Sequence, residues 1–203
     1  SQRPRHRDFR IFELQARAWI APHILEFEMA LAPGFLISMP QMNDRHFERS
    51  VVLMLEHSEA GAMGLVINRP GELTFREIAD DQNLHVASHR ERTKVLNGGP
   101  VEPFRGFVLH SCHAIAEKNT VLPGLFLSQS NESLQRLLLD EEQNFRLVLG
   151  YAGWGPGQLE QEINAGGWLF GEASLAAVFE PDEKKAWDDA IRSMCVEPGW
   201  LVR

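Results

Sequence analysis

Hydrophobic positions fall mainly into short runs rather than long amphipathic stretches. Ser50–Glu56 (SVVLMLE) and Ala62–Asn68 (AMGLVIN) are apolar at nearly every position and rich in β-branched residues. That is the pattern of strands covered on both faces. The link His57–Gly61 is short and ends in glycine, so the two runs predict an antiparallel hairpin. Phe35–Met39, stopped by Pro40, predicts another strand, as do Lys94–Leu96, Gly106–His110, Val121–Leu127 and Phe145–Tyr151. Trp168–Phe170 and Ala176–Phe179 read as short strand-like pieces. Helical signals lie between them. Thr74 is placed to cap a helix over Phe75–Ala79, with Glu77 completing a capping box, and Ser130 to cap one over Glu132–Leu139. Gln158–Asn164 follows Pro156, a residue suited to a first helical position. Asp182–Met194 places Ala186, Trp187, Ala190 and Ile191 on one face. Gln82–Arg92 is polar and predicts a loop or weak helix.

Strands in pairs with helices interspersed predict an α/β protein of the mixed α+β kind. Its sheet should be mixed, partly antiparallel and covered by helices on both faces. Ahead of the first strand, Phe9–Ala32 carries two short helical patterns around Pro22. Residues 1–33 are therefore expected to form a helical N-terminal extension, and residues 34–203 a single domain. The 44% apolar and 24% charged composition, with twelve Phe and five Trp, excludes extensive disorder. No apolar run approaches the ~18 residues of a membrane span. Two cysteines, Cys112 and Cys195, exclude a disulfide scaffold and suit a reducing compartment. No apolar stretch and cleavage site follow the charged start Ser1–Arg10, so a cytoplasmic location is expected.

Charge narrows the partners. The chain carries −8, but Arg3, Arg5, Arg7 and Arg10 against Asp8 make the first ten residues +3, leaving −11 on the rest. A body this acidic repels a phosphate backbone, so direct nucleic-acid binding is not expected. The basic arm is either a solvated tail or a contact for an acidic partner.

Gly150–Ile163 runs from a buried strand through Gly153, Gly155 and Gly157 into a helix, an arrangement that elsewhere offers N–H groups to phosphate. Here it lacks both nucleotide fingerprints, and Glu160 and Glu162 sit near the helix's positive end. The alternative is that the glycines let the chain turn closely while Trp154 packs. His57 and His110 each end a strand. If those ends coincide, the imidazoles converge, with Glu56 or Glu160 to fix a tautomer, as an acid/base couple or metal ligands. Hydrogen bonding to a loop is the other fate of a strand-end histidine. Asn68-Arg69-Pro70 puts an amide and a guanidinium at a sheet edge, where Arg69 can grip a carboxylate or phosphate, or pair with the protein's own acids. Around Cys112, His110 and His113 supply too few ligands for zinc, which leaves a bystander thiol. No metal or cofactor is expected. The candidate pocket, for a ligand or a partner, is Glu56, His57, Asn68, Arg69, His110, Trp154, Gln158 and Glu162.

Several segments in order over residues 34–200 resemble the YqgE/AlgH family of bacterial proteins. They are Phe35–Pro40, Phe47–Val51, Glu56-His57, Gly61–Pro70 (GAMGLVINRP), Gly98-Gly99-Pro100, Gly106–His110 and Gly150–Ile163 with Trp168. The resemblance implies an α/β fold with a mixed sheet and a cytoplasmic bacterial home. It names no chemistry, since the AlgH label, a regulator of alginate synthesis, describes a genetic role. Residues 1–33 and Ser111-Cys112-His113 depart from the family pattern. The expectation is a non-enzymatic regulatory or partner-binding protein, with any effect on transcription indirect. The alternative is a small-molecule- or nucleotide-binding domain, or an unrecognised enzyme, using a His/Asn/Arg/Trp-lined pocket.

Overall fold

The computed structural model describes residues 31–180 and 182–195, so all but the last two residues of the Phe9–Ala32 stretch expected to be helical lie outside the described residues. The apolar hairpin forms as its pattern requires: β2 (Val51–Ser58) pairs antiparallel with β3 (Gly61–Val66). At its turn Gly61 has φ 127°, and a Cβ there would lie 2.3 Å from the Trp154 carbonyl oxygen, so the position demands glycine. β1 (Gly34–Ser38) joins the free edge of β2, and β10 (Trp168–Gly171) joins β1. On the other side stands β9 (Phe145–Trp154), then β6 (Val101–His110), β8 (Leu125–Ser128) and β7 (Asn119–Leu122). β4 (Pro70–Thr74) pairs with β5 (Lys94–Asn97), and β5 lies parallel to β9, while the other pairings are antiparallel. β9 is the pivot. On one edge Val148 and Leu149 meet β5 while Ala152, Gly153 and Trp154 meet β3, and its other edge carries β6.

Side chains sort by the period of two. Phe35 and Ile37, Val51 and Leu53, Leu65 and Ile67, Phe107 and Leu109, and Val148 share one buried cluster with Leu96, Leu125 and Leu127. That cluster draws on strands across the whole sheet, so the sheet curls around it as a half-barrel. The alternate residues Leu36, Val52, Met54 and Val66 turn outward with Trp154 and Trp168, while Val108, Leu147 and Leu149 turn outward elsewhere. Each fully buried Leu or Val contributes about 2 kcal/mol of burial.

The mixed α+β class stands, with the sheet curled as a half-barrel and only short helices packed against it. The curl, with α4 (Leu175–Val178) and α5 (Glu183–Cys195), closes the inner face. Three short helices take portions of the outer one: α1 (Phe75–Gln82), α2 (Asn131–Leu139) and α3 (Gln158–Asn164). α1 has the capping box read from Thr74 and Glu77, and Ser130 caps α2.

Three local expectations are corrected. Val121–Leu127 is a hairpin rather than one strand, because Gly124 at φ 83° reverses the chain between β7 and β8. Ala176–Phe179 is a helical turn instead of a strand, since Ser174 Oγ accepts from Ala177 N and nucleates α4. Pro156 is not the first residue of α3, because Gly157 intervenes as a left-handed N-cap at φ 71°.

Candidate functional site

β9 ends at Trp154, and the chain turns through Gly155-Pro156-Gly157 into α3. The N-cap glycine has no side chain to close the turn, so Gln158 does it: its Oε1 accepts from Gly155 N at 3.0 Å. Gln158 Nε2 then donates to Glu162 Oε1, one helical turn on, at 2.9 Å. The other oxygen of Glu162 accepts two indole N–H groups, from Trp154 at 3.0 Å and Trp168 at 2.8 Å. One carboxylate thus ties together the end of β9, helix α3 and the start of β10. Both indoles are buried, at 6% and 3% exposure, and their rings meet edge to face with centroids 5.9 Å apart. Phe47 completes the cluster, stacked on Trp154 at 6.0 Å and edge-on to Trp168 at 5.5 Å.

Phe47 reaches the tryptophans from the β1–β2 loop, and the Asn68-Arg69 pair holds that loop in place. Asn68 Oδ1 accepts from Val51 N at 2.8 Å and its Nδ2 donates to the Arg49 carbonyl at 2.9 Å. The Arg69 guanidinium donates to the carbonyls of Arg45 (2.9 Å), His46 (2.5 Å) and Glu48 (2.7 Å) and to Ser50 Oγ (3.3 Å). No carboxylate among the described residues forms an ion pair with it; backbone oxygens converge on the fork and use it. Burial pulls the Arg69 pKa down, and the charges of Glu48 and Asp44 oppose the shift.

Between this loop and α3 lies a groove of about 410 Å³, lined by Met42, Asp44, Phe47, Trp154, Glu162 and Trp168, with Gln158 at its edge. Of the expected pocket, Trp154, Gln158 and Glu162 meet here. His57 stands beside it, its Nε2 2.7 Å from Glu160 Oε1 on α3, with 11% and 47% of the two side chains exposed. The carboxyl of Glu160 is held below the usual range by its own backbone N–H and by His57. Glu56 is exposed, next to a bulge in β2. Asn68 and Arg69 border a different groove, with Arg49, Lys185 and Asp188.

The two imidazoles do not converge. His57 pairs with Ala62, which faces Trp154 at the end of β9, whereas His110 faces Phe145 at its start. Nine residue steps of an extended strand separate them, roughly 30 Å. His110 is fully buried. Ser128 Oγ donates to the Glu117 carbonyl at 2.7 Å, so the 2.9 Å contact from His110 is an Nε2–H donated to that hydroxyl. Nδ1 makes no hydrogen bond of ordinary geometry, although the Cys112 backbone is close enough to oppose the shift in the ring's pKa. Burial, helped by the charge of Lys118, lowers the His110 pKa to about 4. The imidazole braces a loop. Cys112 is buried in the α1–α2 core.

Phosphate capture by the glycine loop finds little support, because Gly155 N–H is already donated and two glutamates stand close by. No group of three or more metal-ligating side chains gathers among the described residues. Sequence reasoning missed Phe47, Asp44 and Trp168 as site residues. Trp168 was legible as a strand residue, but nothing local tied its indole to Glu162.

A family model described as AlgH-like matches residues 35–199. Among curated relatives, a UPF0301 protein of Myxococcus xanthus is 56% identical over 172 residues, covering 85% of this chain and 95% of the relative. A UPF0301 protein of Rhodopseudomonas palustris is 40% identical over 178 residues, covering 82% and 81%. Among solved structures, the solution structure of the AlgH protein from Pseudomonas aeruginosa superposes with a TM-score of 0.65 at 34% identity, over 84% of this chain and 93% of that one. A crystal structure from Corynebacterium diphtheriae gives 0.65 at 24% identity over 84% and 90%, a likeness of fold alone.

Proposed function

The chain belongs to the AlgH-like family, and from that premise we propose that it is a non-enzymatic protein that acts by binding a partner through the groove between the β1–β2 loop and α3. Any regulatory effect, transcription included, is then exerted through that partner, from the cytoplasm. One observation carries this reading: the polar groups around the groove are committed to holding it in shape. Glu162 accepts three side-chain donors and Gln158 is engaged at both ends of its amide, while Arg69, outside the groove, is occupied with the loop that carries Phe47. Groups so engaged are poor proton shuttles and good scaffolding for a preformed recognition surface. The acidic body argues against DNA as the direct partner. Among the described residues no helix is long and apolar enough to cross a membrane.

The test is capture from a bacterial lysate at physiological ionic strength, using the wild type beside Gln158→Arg, which fills the groove's exposed edge. A specific partner held by the wild type and lost from the variant is the expected result. Partners indifferent to the substitution, or none, overturn it. A second reading has one observation in its favour: about 410 Å³ suits a small molecule. A thermal-shift screen of metabolites and nucleotides addresses it, because a ligand at 100 Kd stabilises by ~2.7 kcal/mol.

A further inference from the structure

We propose that the groove receives a basic side chain, the guanidinium or ammonium of an arginine or lysine presented by the partner. This deepens the partner-binding reading and rests on it. Two carboxylates, Asp44 and Glu162, line the groove, and no Lys, Arg or His does. Asp44 feels the field of Arg69, but Glu162 forms no ion pair among the described residues. Its three donors, two indoles and an amide, are all neutral. A half-buried carboxylate with neutral partners has lost hydration without gaining a counter-charge. An incoming cation supplies it.

The walls favour the same ligand. Phe47, Trp154 and Trp168 line the groove beside the carboxylate and offer an apolar wall for the alkyl stem of a lysine or arginine to lie along. A metal ion has little to hold it, because among the described residues no three His, Cys, Asp or Glu side chains gather and the groove walls are aromatic. Exposed Gln41, Asn43 and Gln158 form the rim, so a long side chain can enter while its backbone stays outside. The −11 carried beyond the first ten residues steers a basic segment toward the body.

The experiment follows the indole N–H resonances of the full chain by NMR while capped Gly-Arg-Gly, Gly-Lys-Gly and Gly-Glu-Gly peptides are added at low salt. Trp187 is the internal reference, since its indole N–H is buried against the Ser38 carbonyl at 2.8 Å and its ring packs in the inner-face cluster rather than with Trp154 and Trp168. The arginine and lysine peptides should shift Trp154 and Trp168 with roughly millimolar affinity, leaving Trp187 unmoved and the glutamate peptide inert. Asp44→Asn, a surface change, should weaken binding about fivefold, as should Glu162→Gln. Indoles that ignore the basic peptides, respond equally to the acidic one, or respond unchanged in Asp44→Asn overturn the proposal. If that happens while lysate capture still depends on Gln158, partner binding stands and only its basic character falls.

Discussion

Trp168 donates its indole N–H to Glu162 Oε2 at 2.8 Å, although the two residues belong to different elements and a left-handed glycine, Gly166, lies between them. With Trp154 on the same oxygen, the carboxylate acts as a rivet. Glu162→Leu would leave two buried indole donors unpaired, so a loss of about 2–4 kcal/mol is expected. Glu162→Gln keeps an acceptor oxygen and should lose about half as much. Urea midpoints at constant m-value, with near-ultraviolet circular dichroism for the tryptophans, give the comparison.

Arg69 organises the site without entering it. Arg69→Lys keeps the charge but cannot span three carbonyls and a hydroxyl, so the β1–β2 loop should loosen and Phe47 leave the tryptophans. The expected cost is about 2 kcal/mol. Faster hydrogen exchange at the Phe47 and Ser50 amides, with the β6–β9 amides unchanged, would locate the effect; uniform exchange across the sheet would contradict it.

His110 gives the fold a pH dependence with a definite sign. Unfolded, the imidazole titrates near 6.5, and in the folded protein near 4. Above pH 6.5 both states are neutral. Between 6.5 and 4 only the unfolded chain takes the proton, so stability falls as pH falls, by up to about 3 kcal/mol. His110→Gln, which can still donate to Ser128, should flatten that interval. Carboxylates held low, such as Glu160 and Glu77, lose their contribution only below about pH 4.5. Denaturant titrations at half-unit steps separate the two ranges.

Thr74 and Glu77 hydrogen-bond reciprocally at the start of α1. Thr74→Ala should cost about 1 kcal/mol, and Thr74→Ser nearly nothing. Equal losses in thermal unfolding would show that the threonine methyl matters more than the cap.

Local signals were read well from the amino-acid order. The cap at Thr74, the hairpin through Gly61 and the buried strand at Phe145 each rest on residues a few positions apart. The failures were failures of register and distance. Nothing near His57 or His110 says that they stand at opposite ends of β9, because that follows from the Ala62–Trp154 pairing across 92 residues and the His110–Phe145 pairing across 35. Arg69 was open to a ligand or to the protein's own acids, because a guanidinium at a strand end is chemically open. The carbonyls that occupy it belong to a loop some twenty positions earlier. The three residues of the expected pocket that do meet, Trp154, Gln158 and Glu162, are the ones close together in sequence.

β9 is the eave under which both halves of the sheet shelter, and it is made late. During synthesis β3 emerges some ninety residues before its partner segment Ala152–Trp154. Through that interval the nascent chain exposes one edge of a very apolar hairpin, with backbone groups ready to pair with a neighbour. A cell making this protein therefore has reason to keep ribosome-bound chaperones at hand until residue 154 has cleared the exit tunnel, and chains released short of that point should be the ones that aggregate.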